Sequence, residues 1–193
     1  MLVLGSRLMG TPVMSLQTGG RLARATRPLI DPGTLAIYAY ELDGPLLAER
    51  PSFLRVAEIR ETSGVGMIVD STDDFVGLHD VIKIEELEDL KFPLVGMKVI
   101  DEQRRRLGKV LDYTLETGSF VIQQLHVQRG VLRAIADTGL LIHRSQIVEI
   151  NDENIVVKAN TAEEGHPTPA DLLPKNYINP FRNPAPAPKQ HRD

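Results

Sequence analysis

Arg104-Arg105-Arg106, followed closely by Lys109, is the densest cationic run in the chain and the first place to look for chemistry. Adjacent guanidinium groups grip phosphate or carboxylate oxygens in a bidentate fashion that lysine does not reproduce. The same run at a hairpin tip is otherwise simply solvated. Single-stranded RNA binders interleave such charges with exposed aromatic rings on which bases stack, and no aromatic residue interleaves with these four. A second candidate is Tyr177-Ile178-Asn179-Pro180-Phe181, where Tyr177, Ile178 and Phe181 are large apolar side chains in a polar, proline-rich stretch. Such a segment either docks on its own chain or serves as a linear motif for a partner.

The other reactive residue types are dispersed. Histidines stand at 79, 126, 143, 166 and 191, with no pair at metal-ligand spacing. Asp70-x-x-Asp73-Asp74 offers carboxylates but lacks the central glycine and terminal glutamate of a calcium loop. The chain has no cysteine, which removes disulfides, thiolate nucleophiles and Cys-ligated metals together. No phosphate-cradling glycine loop and no Gly-x-Ser-x-Gly elbow is present. The expectation is a protein without catalytic residues, metal or cofactor; an enzyme would need carboxylates brought together only by the fold.

Composition fits a folded chain built on aliphatic cores: 42% hydrophobic, 5% aromatic and no Trp. The net charge of −4 argues mildly against a general nucleic-acid binder. Arg7, Arg21, Arg24 and Arg27 lie in the first thirty residues with no acid, whereas residues 70–89 are strongly acidic with Lys83 as the sole cation. These are solvated turns or a basic and an acidic edge that steer partners. No apolar run approaches the 18 or so residues of a membrane span. Residues 1–16 lack the basic and continuous apolar regions of a signal peptide and are expected to be the first strands. A cytoplasmic location and no direct membrane insertion follow as expectations.

What must position the candidate residues is a scaffold stated twice. Gly10-x-x-Val13 returns as Gly96-x-x-Val99, Gly33-Thr34-Leu35-Ala36-Ile37 as Gly118-Ser119-Phe120-Val121-Ile122, and Ile59-Arg60-Glu61 as Ile147-Val148-Glu149. The offset is 96 − 10 = 86, then 118 − 33 = 85, then 147 − 59 = 88, changing only where turns absorb insertions. Alternation of period two makes both copies β. Leu35 and Ile37 alternate inward, then Tyr40 and Leu42 take over one residue late. Phe120 and Ile122 give way to Leu125 and Val127 with the same slip. Such a slip predicts a β-bulge near Tyr38-Ala39 and another near Gln123-Gln124. Gly33 and Gly118 are expected to supply the positive φ of their turns.

Between the copies, Val81, Ile84 and Leu87 or Leu90 share one face of a short helix. After Ala159 prolines accumulate, ending in Pro184-Ala185-Pro186-Ala187-Pro188, which reads as a semi-extended polyproline tail. Only Ala170-Asp171-Leu172-Leu173 offers a helical turn there. The expected organisation is a first barrel over 1–80, a linker over 81–92, a second barrel over 93–160 and a largely irregular tail over 161–193.

The segments Val95-Gly96-Met97-Lys98-Val99, Leu107-Gly108-Lys109-Val110 and Ile142-His143-Arg144-Ser145-Gln146-Ile147-Val148-Glu149-Ile150 resemble the PRC barrel. This small β-barrel forms the cytoplasmic part of the photosynthetic reaction-centre H subunit, and a related barrel closes the ribosome maturation factor. The first copy resembles it more loosely, with Ala23 in place of Gly108 and Val56-Ala57-Glu58 in place of the Arg-Ser-Gln stretch. The resemblance implies an all-β protein of two tandem PRC-like barrels plus the Pro-rich tail. It further implies a bacterial-type, non-catalytic adaptor with a protein partner. The alternative partner is the ribosome or RNA, gripped by Arg104, Arg105, Arg106 and Lys109, and a third reading is a cytosolic enzyme with its site between the barrels. Pairing into a homodimer is compatible with either.

Overall fold

Alternating apolar residues become strands along most of the described chain, which in this computed structural model comprises residues 1–129 and 139–159. The elements begin with β1 (Leu2–Leu4), α1 (Gly5–Leu8), β2 (Pro12–Ser15), β3 (Arg21–Asp31) and β4 (Ala36–Asp43). Then come β5 (Ser52–Arg55), β6 (Glu61–Ser63), β7 (Gly66–Val69), β8 (Phe75–Gly77) and α2 (Ile82–Leu90). The chain continues through β9 (Lys98–Asp101), β10 (Arg106–Glu116) and β11 (Val121–Gln128). It closes with β12 (Leu140–His143), β13 (Ile147–Ile150) and β14 (Asn154–Val157). Strands dominate, as the all-β expectation requires, and they join into one 14-stranded sheet.

The pairing scheme occurs twice. In the first unit β2, β3, β4 and β5 pair antiparallel in succession, and β7 returns parallel to β2 and antiparallel to β6. In the second unit β9, β10, β11 and β12 repeat that meander, and β14 returns parallel to β9 and antiparallel to β13. Val13 lies between Ala23 and Met67 as Val99 lies between Gly108 and Ile155. The register of β3 with β4 passes over Tyr38, and that of β10 with β11 passes over Gln123. These are the two phase slips seen in the sequence. A second matched pair of bulges falls at Thr26 and Leu111 on the facing strands, adding further bend and twist. Among the described residues neither pairing path closes on itself: the first ends at β6 and β8, the second at β13 and β12.

The positive φ expected at Gly33 and Gly118 is found instead at Leu35 (52°) and Phe120 (53°). Each hairpin turn is closed by an i→i+4 bond, Leu35 N–H to Asp31 O at 2.8 Å and Phe120 N–H to Glu116 O at 2.7 Å. In such a turn the last residue, not the central glycine, takes the left-handed conformation. Both side chains are buried, which explains why glycine does not stand there.

These two tips are also the joint between the units. Ala36 pairs with Val121, and Ile37 N–H donates to Phe120 O at 2.9 Å while Ile122 N–H donates to Leu35 O at 2.8 Å. Tyr40 meets Phe120 edge to face, with ring centroids 6.3 Å apart at 72°. One core cluster therefore runs from Ile30, Leu35, Ile37 and Tyr40 of the first unit to Phe120, Ile122 and Leu125 of the second.

The segments that precede each unit pack on the other one. Residues 1–16 are not all strand: α1 intervenes, and β1 pairs with β10 of the second unit. Gly5 sits under the Tyr113 ring so closely that a Cβ would lie 2.3 Å from it, and Ser6 bonds the Asp112 carboxylate. Conversely α2 lays Ile84 and Leu87 on Leu29, Ala39 and Phe53 of the first unit. Arg27 bridges Glu41 (2.9 Å) and Glu88 (2.6 Å), so the basic N-terminal residues and the acidic segment meet at one point.

Candidate functional site

The basic run occupies the turn from β9 to β10 and the start of β10. Its organising group is Asp101, whose side chain is fully buried. Asp101 accepts from Gln103 N–H (3.0 Å), Arg105 N–H (2.8 Å) and Arg105 Nε (2.6 Å). Burial pushes its carboxyl up, but those donors and the Arg105 charge outweigh it and hold the pKa below the ordinary 3.8. Arg105 also donates to Ala159 O. Three arginines adjacent in sequence are thus not equivalent in space: all three are exposed, but Arg105 is tied to the turn through Asp101 and Ala159 O. Lys109 is exposed too, directly across from Lys98 on β9. The structure brings Lys109 and Lys98 together and holds Arg105 apart for the turn. An Asp opening a turn with Arg four residues on is the signal in the sequence that identifies this arrangement.

Arg104 itself has φ 63°, a left-handed conformation that its counterpart in the first unit, Gly19 (φ 68°), adopts without strain. Tyr177, Ile178 and Phe181 lie outside the described residues, as does Ala170-Asp171-Leu172-Leu173.

The titratable groups elsewhere have structural occupations. Asp70 pairs with Arg60 at 2.6 Å, a bond that lowers the Asp70 pKa. Asp74 accepts from the Asp70 and Ser71 N–H groups in a capping box on a 3-10 turn at Thr72–Asp74. His126 bonds the Thr114 hydroxyl at 2.7 Å, and His143 Nδ1 caps the 3-10 turn Arg144–Gln146 by accepting from Ser145 N–H. Among the described residues no three His, Asp or Glu side chains gather as a metal site. No helix there is long and apolar enough to cross a membrane.

One feature is visible only in the folded chain. A cleft of about 510 Å³ separates the β3–β4 turn of the first unit (residues 32–35) from Arg144 and β13 of the second. Arg144 Nη2 donates across it to Thr34 O at 3.0 Å. All four residues of β13, Ile147–Ile150, line the cleft. β13 is the terminal strand of the pairing path and its register with β14 passes over Val148, so this wall includes a strand edge bent by a bulge. That edge is unpaired among the described residues, since β13 pairs only with β14. Val148 is exposed there and Glu149 supplies a carboxylate. The two walls are more than a hundred residues apart in sequence, and no local motif announces them.

No protein-family model matches the chain, and no curated protein matches it.

Proposed function

We propose that the chain is a non-catalytic, cytoplasmic protein-binding adaptor built from two PRC-like barrels, and that it takes an extended peptide of its partner along the free edge of β13. The observation that carries this reading is the cleft, bounded by a facing turn and by a strand edge that has no strand partner among the described residues. An added strand gains main-chain hydrogen bonds from such an edge, and neighbouring side chains supply selectivity. Arg144 and Glu149 offer one charge of each sign to the incoming segment.

A second reading rests on a separate observation. Arg104 keeps a long cationic side chain at a strained, solvent-facing position, with Arg106, Lys109 and Lys98 close by in the strands. Strained residues cluster at functional sites, and this one suits phosphate, hence an RNA- or ribosome-associated role.

Affinity capture from the native host, with the captured set identified by mass spectrometry, separates the two. Val148→Glu puts a charge in the cleft at an exposed position and is expected to lose the captured proteins. Joint replacement of Arg104, Arg106 and Lys109 by alanine is expected to leave that set unchanged. The reverse pattern, with RNA binding that weakens steeply as salt rises, overturns the adaptor reading in favour of the second.

A further inference from the structure

The two units differ in what covers the outward face of the meander. In the first, β8 pairs with the second edge of β5, and α2 seals Leu29, Ala39 and Phe53. The corresponding residues of the second unit are Thr114, Gln124 and Leu141. Leu141 is 49% exposed, and the bulged Leu111 at the same level of the sheet is 62% exposed. Among the described residues β12, the counterpart of β5, pairs only with β11. An open edge flanked by exposed leucines invites pairing, and natural sheets blunt or cover such edges.

The first unit also measures the path a cover must take. From the end of β7 at Val69, six residues bring the chain to β8 at Phe75, and α2 follows at Ile82–Leu90. The same steps from the end of β14 at Val157 reach residue 163 for the strand and residues 170–178 for the helix. The latter stretch contains Leu172, Leu173, Tyr177 and Ile178. We propose that residues 161–181 of the same chain cover the outward face of the second unit, pairing along β12 and setting these apolar side chains against Leu111 and Leu141. This assignment stands apart from the peptide cleft at β13 and does not depend on it.

Hydrogen exchange on the full chain tests it, comparing wild type with the Leu172→Asp, Leu173→Asp double variant. The β12 amides that point away from β11 are expected to exchange at least about tenfold faster in the variant, with β5 unchanged. Equal exchange in both proteins overturns the proposal. So does β12 protection that rises with protein concentration, which would place a second copy on this edge. A second measurement does not depend on the variant's stability. Leu141→Cys with Leu172→Cys, in a chain that has no other cysteine, is expected to form an intramolecular disulfide on mild oxidation. Only intermolecular disulfide, or none, overturns the assignment.

Discussion

At the scale of single residues, Phe120 shows how two opposing effects are weighed. Its left-handed backbone costs about 1–2 kcal/mol in a residue with a Cβ. Its ring is 4% exposed in the shared core, and truncating a buried Phe costs about 3–5 kcal/mol. Phe120→Gly is therefore expected to destabilise by about 1–4 kcal/mol in denaturant titration, despite relieving the backbone. A stabilised variant would mean that the ring contributes little to the joint. Asp101 makes a pH-dependent contribution instead. Its folded pKa lies below the unfolded value, so its stabilisation is complete above that value and is lost as pH falls through the depressed one. Asp70, lowered by Arg60, acts in the same direction. Asp101→Asn cannot accept from Arg105 in the same way, and the variant is expected to be less stable than wild type at pH 7. The gap should narrow below about pH 4 as the wild-type carboxyl protonates. Urea midpoints taken between pH 7 and pH 3 read this directly; a constant gap would remove Asp101 from the acid response.

At the scale of elements, α2 is held on the first unit by both packing and charge, and the two are unequal. Ile84 is fully buried, so Ile84→Ala is expected to cost about 2–5 kcal/mol. The Arg27–Glu88 pair is partly exposed, so Glu88→Ala is expected to cost no more than about 1 kcal/mol. Thermal melts of both variants check the ranking. The sequence could show where α2 packs its inner face, because Ile84 and Leu87 fall at helical spacing. It could show the bulges at Tyr38 and Gln123, because a phase slip in a period-two pattern has no other simple cause. Other features were not legible for identifiable reasons. Gly33 and Gly118 look like turn glycines, but the i→i+4 closure moves the left-handed residue two positions on, to a side chain chosen for burial. β1 and α1 are too short to carry a period, and their partner β10 is about a hundred residues away. The basic run was legible as composition, but the tie that holds Arg105 to the turn depends on Asp101 being buried beneath it.

At the scale of the whole molecule, the two copies share one core cluster. Each copy alone is near the lower size limit for an independent core. The structure answers this in three ways: a core cluster common to both copies, reciprocal backbone bonds between the two hairpin tips, and leader segments that cross to the opposite unit. Separating the units would expose Tyr40, Phe120, Ile122 and Leu125 and strip both leaders, which neither half can offset by itself. Calorimetry is therefore expected to show one transition whose van't Hoff and calorimetric enthalpies agree. With about 150 described residues, the enthalpy should approach roughly 100 kcal/mol near 60 °C. Ile122→Ala, at the joint, should shift that single peak down without splitting it. Two resolved transitions in the wild type, each near half that enthalpy, would show that the copies fold separately and that their joint is only a contact.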